Sequence, residues 1–283
     1  MNESKYVALI EKIQKRRKWV VALTVIAIIL IVLFASPSKV QVMGETVKES
    51  QGLHPVFIVI LILLCFSFEL IAYALVSMPL STSMDVECDP EKQLILNKHL
   101  NKQKNIDHVY AQDYFYLGNY AEALKYADKM IQSPNEQAVL VGLFNRARCE
   151  FFTEDYEAVQ QTAAQYHSKL SGCQKIKPKI KLTYQKVGHV LDLMCAISEN
   201  DVEGMNALRG AIKAWNTLKA TEGFLNYLKG LAAYKANDSE EAIYRFKAVQ
   251  EACSKTVLCE LSDHYIQSLR DHLSFQDSQE SRN

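Results

Sequence analysis

The chain has 283 residues, enough for one or two domains with a core that needs no staple. Its 32 Lys plus Arg balance 32 Asp plus Glu, which excludes a general nucleic-acid binder, whose charge would be basic over a whole face. Seven Cys, odd in number and scattered with no CxxC, fit reduced thiols better than a disulfide framework.

Residues 1–18 form a basic segment that ends in Lys15, Arg16, Arg17 and Lys18, placed where anionic head groups would attract them. Residues 19–35, WVVALTVIAIILIVLFA, carry no charge and read as a first transmembrane helix, near the short end of the useful range, with Trp19 at the interface. A signal peptide is rejected. No small-residue cleavage pattern follows cleanly, the apolar run is longer than a signal core, and a second run comes soon after. Residues 36–54 read as an external loop. Residues 55–80, PVFIVILILLCFSFELIAYALVSMPL, read as a second transmembrane helix with Pro55 in its first turn and Glu69 as its only charge. An ionisable group inside a span is a functional candidate. A protonated or snorkelling side chain, or one paired with a polar group on a neighbouring helix, explains Glu69 as well. Lys and Arg crowd the segment before the first span, whereas the loop holds only Lys39 and Lys48. The expected protein is therefore multi-pass in the cell membrane, with both termini cytoplasmic.

After the second span, apolar residues recur at helical spacing, Pro and Gly are few, and no convincing alternating strand pattern occurs. The expected fold is all-α: two transmembrane helices followed by an α-solenoid of helical hairpins. Residues 81–104 read as a linker and lead-in helix, 105–274 as the repeat domain, and 275–283 as a disordered polar tail.

The clearest unit, YAQDYFYLGNYAEALKYADKMIQSPN, runs from Tyr110 to Asn135. Ala111 and Tyr114 lie on its first helix, Gly118 at the turn, Tyr120 just after it, Ala123 and Ala127 on the second helix, and Pro134 at the end. A second unit places Ala147, Tyr156 and Ala163 in register with Ala111, Tyr120 and Ala127, but has Glu154 for the turn Gly and Val159 for the small Ala. A further unit has Gly230, Asn237, Ala242 and Phe246 at matching places, and a degenerate pair, 180–199 and 202–219, lies between. A last helix, about 257–274, caps the stack. Small residues let antiparallel helices approach, Gly permits the turn, and the aromatic fills the gap between hairpins. The pattern resembles the tetratricopeptide repeat over most of residues 107–250. It is strongest in the first unit and weakest in the degenerate third.

No phosphate-cradling GxxxxGK[ST] or GxGxxG, no HExxH and no GxSxG occurs, so no enzyme, cofactor or metal site is expected. His189, Asp192 and Cys195 fall on one helical face but lack the tight, recurring spacing of a metal site and read as surface polar groups beside a buried thiol. Cys253 and Cys259 read as core thiols. Six Lys and no acid lie between Lys169 and Lys186. That stretch fits anionic lipid, an acidic partner or a solvated loop.

The resemblance implies that the first helices of the hairpins line a concave groove that binds a protein or peptide. Carried over by position, the groove residues are His108, Gln112 and Tyr116, then Asn145, Arg148 and Phe152, then Tyr227 and Lys235. Aromatics with an Arg make a surface that anchors a peptide, although packing between hairpins accounts for each aromatic taken singly. The family's terminal-carboxylate clamp is not present in full. The expectation is a bacterial-type adaptor anchored at the inner membrane face. The alternative is an oligomeric two-span transport or sensing unit that uses Glu69 and carries a regulatory helical domain.

Overall fold

The computed structural model describes residues 6–35, 41–42, 45–46, 63, 66–67, 70, 82–100, 106–173, 176–212, 214, 216 and 218–280. It divides into two compact units, 1–81 and 82–283. Apart from a two-residue antiparallel pair, Gln41–Val42 with Glu45–Thr46, every regular element among the described residues is helical.

In the first unit, α1 runs from Val7 to Ala35 and joins the basic segment to the first apolar run in one helix. Trp19, Val21, Leu23, Val25, Ile26, Ile28 and Ile29 on it are exposed, Val21 by 63%. Among the described residues no helix is long and apolar enough to cross a membrane, and the two spans rest on the sequence alone. Most of 55–80, Glu69 included, lies outside the described residues.

The second unit is a chain of antiparallel hairpins. A lead-in helix α2 (Pro90–Leu100) precedes α3 (Asp107–Tyr116) and α4 (Tyr120–Ile131), α5 (Glu136–Phe152) and α6 (Tyr156–Gly172), α7 (Pro178–Glu199) and α8 (Val202–Ala211), and α9 (Lys219–Lys235) and α10 (Ser239–Ala252). The last helix, α11, runs from Val257 to Glu280 and so extends into the segment expected to be a disordered tail. The first helices of successive hairpins, α3, α5, α7, α9 and then α11, pack side by side as one layer.

One turn design repeats four times. A residue in the left-handed region ends each first helix: Gly118 (φ 74°), Glu154 (φ 61°), Asn200 (φ 56°) and Asn237 (φ 58°). The next residue caps the second helix. Asn119, Asp155, Asp201 and Asp238 accept from the backbone N–H of Glu122, Ala158, Gly204 and Glu241. Each cap is worth about 1 kcal/mol. Glu154 therefore adopts the backbone that Gly118 adopts freely, and the departure seen in the sequence costs strain without changing the turn.

The stack closes on itself. Phe115 of α3 meets Phe224 of α9 edge-to-face at 5.8 Å, and the Tyr116 hydroxyl donates to the Ala220 carbonyl at 2.8 Å. A Cβ on Gly118 would lie 3.2 Å from Val257 of α11. The segment before α2 reaches the same end of the chain. The Cys88 thiol, at φ 48°, contacts the Cys253 sulfur at 2.9 Å, and Asp89 pairs with Lys255 at 2.9 Å. Ser83, Met84, Cys88 and Asp89 are buried, so residues 82–90, expected to be part of a linker, pack into the domain core. Its polar and acidic residues hid that role, because two of them are buried by partners far along the chain.

Candidate functional site

Closure fills part of the concave face with rings. Phe152 stacks on Tyr227 at 5.3 Å, Tyr227 meets Phe246 at 5.8 Å, and Tyr265 of α11 stacks on Phe246 at 5.1 Å. Aromatic pairs at these separations add attraction beyond burial. Tyr227 and Phe152, expected in the groove, pack into the aromatic core and do not line the pocket. The physical reason is that α9 and α11 return to the first two hairpins and leave no open trough at this end. Lys235 is also taken, donating to the Asn200 side chain at the end of α7.

The other part of the face stays open. A pocket of about 390 Å³ lies between α3, α5, α7 and the connection from α8 to α9. Five expected groove residues line it: His108, Gln112 and Tyr116 from α3, and Asn145 and Arg148 from α5. The sequence missed its far wall, notably Thr183 and Tyr184 of α7 and Asn216 and Thr221 beside α9. Those residues belong to the degenerate hairpin and its exit, where no motif marked them.

Arg148 sits at the centre. It is 4% exposed, with its guanidinium carbon 4.2 Å from the Phe115 ring centre and 4.8 Å from that of Phe144. Its Nη2 donates to Asn145 Oδ1, and the Asn145 amide in turn donates to the Val141 carbonyl at 2.8 Å. Burial pushes the Tyr116 pKa up, against the opposing pull of the Arg148 guanidinium. The Arg148 Nε–H is buried and has no partner among the described residues. Burial lowers the Arg148 pKa, and no acidic residue is among the groups acting on it or lining the pocket. Arg keeps its charge under such conditions, and no described residue of the pocket compensates it. His108, at the exposed rim, is pushed down by desolvation against the opposing pull of Asp107.

Other expected sites fall elsewhere. Lys15, Arg16 and Lys18 are exposed on α1, and the Arg17 side chain lies outside the described residues. Asp192 binds His167 of α6 at 2.8 Å and His189 at 3.4 Å on the surface. His167 was not foreseen, because it comes from the neighbouring helix. Burial raises the pKa of Cys195 to about 11. Among the described residues no His, Cys, Asp and Glu cluster is arranged to hold a metal. Cys253 is buried as expected, and Cys259 is half-buried. No protein-family model, curated protein or solved structure matches the chain.

Proposed function

We propose that the chain is a membrane-anchored, tetratricopeptide-like adaptor whose helical domain binds a protein or peptide partner at the inner membrane face. One observation carries this reading. Five residues assigned to a partner groove from the repeat register converge on a single pocket with a buried Arg. Pockets that anchor a partner combine apolar walls with a few placed polar groups. The anchor part is supported by the charge-free run from Trp19 and by the exposed apolar side chains on α1, with Lys15, Arg16 and Lys18 positioned for anionic lipid. Confinement to a membrane raises the effective concentration of any membrane-bound partner.

The test places a photo-crosslinking amino acid at Thr183, on the pocket wall, and at Tyr244, an exposed α10 residue that does not line the pocket, in the full-length protein in its native membrane. The proposal expects a defined protein adduct from Thr183 and none from Tyr244. Equal labelling from both positions, or an adduct from Tyr244 alone, overturns it.

A further inference from the structure

We propose that the Arg148 pocket binds a small organic acid, one carboxylate carried on an apolar body. The inference goes beyond the adaptor reading, because it rests on the chemistry of the pocket and not on which protein the domain meets. Three features lead to it.

The first is the unpaired charge. A guanidinium has five N–H donors in a fixed fork. Arg148 donates from Nη2 to the neutral Asn145 oxygen, and its buried Nε–H has no partner among the described residues. A buried cation without an anion is costly, and a carboxylate arriving through the pocket supplies both the missing charge and a second row of acceptors.

The second is stoichiometry of charge. Among the described residues that line the pocket, Arg148 is the one permanent cation and none is acidic. The rim imidazole of His108 is held toward its neutral form by desolvation. A monoanion neutralises the site. A phosphate dianion would leave surplus negative charge among apolar walls, which is unfavourable.

The third is shape. Leu140, Val141, Phe144, Ile180, Val187 and Leu218 give the remaining lining an apolar character. The volume, about 390 Å³, lies at the low end of the range for small-molecule sites. That favours a compact acid with a hydrocarbon or aromatic body over an extended chain.

The experiment is isothermal titration calorimetry on the full-length, detergent-solubilised protein. The probes are phenylacetate, its neutral analogue phenylacetamide, acetate, inorganic phosphate and a tetrapeptide ending in phenylalanine. The expected result is saturable phenylacetate binding with a Kd below about 1 mM, at least tenfold weaker binding of phenylacetamide and acetate, and no binding of phosphate. Arg148→Met should weaken phenylacetate at least tenfold. Should that variant not fold, Thr183→Trp decides, because it fills the pocket from α7 and leaves Arg148 in place; it should abolish binding with unchanged circular dichroism. Phosphate binding better than phenylacetate overturns the monoanion, and equal binding of phenylacetamide overturns the role of charge. A tetrapeptide that binds more tightly than phenylacetate overturns the free acid in favour of a chain terminus. Absence of any binding overturns the site. The pocket is the one the adaptor reading uses, so the two tests are read together: a Thr183 adduct without phenylacetate binding overturns the acid alone, and phenylacetate binding without an adduct overturns the adaptor alone.

Discussion

Two parts of the layer formed by the first helices end differently. His108, Phe144 and Tyr227 occupy matching places on α3, α5 and α9. Tyr227 is sealed between Phe152, Phe246 and Tyr265, whereas His108 stands at the rim of an open pocket. Repeat position does not decide which residue becomes core and which becomes site. The decision comes from tertiary packing: Tyr227 is enclosed by Phe152, Phe246 and Tyr265, whereas no such rings among the described residues enclose His108. The filled part supplies packing and stability. The open part keeps a buried cation that no described residue neutralises.

The largest expected effect breaks the filled part. Phe115 is fully buried and touches Phe152, Phe224 and Arg148. Phe115→Ala should cost about 3–5 kcal/mol in urea unfolding, since it removes a large side chain at the point where the stack closes. Gly230→Ala comes next. Its added methyl would lie 2.7 Å from the Phe246 ring, inside contact distance, and α9 and α10 must separate to admit it. A loss of about 1–3 kcal/mol is expected, read from the same denaturation curves.

Asp113 sharpens the comparison with the opposite sign. It is fully buried on α3, neither carboxylate oxygen has a hydrogen-bond partner among the described residues, and burial raises its pKa well above the aspartate range. A group neutral in the fold and ionised when unfolded contributes fully below its unfolded pKa. That contribution is lost as pH rises toward the raised folded value. Asp113→Leu should therefore stabilise the domain by about 1–3 kcal/mol at pH 7, and by less at pH 4, in melts recorded at both values. The smallest effect tests the turn design. Glu154→Gly should be stabilising by about 1 kcal/mol at most, because relief of the left-handed strain at φ 61° is offset by the added freedom of the unfolded chain.

The hairpin boundaries were legible because local rules set them. Gly118, Asn237 and the Asn200 turn sat between apolar helical patterns, and the caps follow each of them. Gly230 and Phe246 were legible as a small residue facing a ring, and their close approach follows. Closure was not legible, because Cys88 with Cys253 and Asp89 with Lys255 join positions far apart in the chain, and nothing local marks such partners. For the same reason the α3 and α5 walls of the pocket could be read from the repeat, while Thr183, Tyr184 and Asn216 could not. Arg148 was identified as a groove residue, but its burial among Phe115, Phe144 and Phe224 comes from the tertiary fold alone.

If Arg148 serves a ligand and not the fold, its removal should cost the domain no stability. Urea unfolding of full-length Arg148→Met beside the wild-type protein, with no ligand added, tests it most directly. Replacing an uncompensated buried cation by an apolar side chain of similar length should leave the midpoint unchanged or higher, with an unchanged slope. A midpoint lowered by about 3 kcal/mol or more in stability would show that the aromatic cluster depends on the guanidinium, and would contradict the claim.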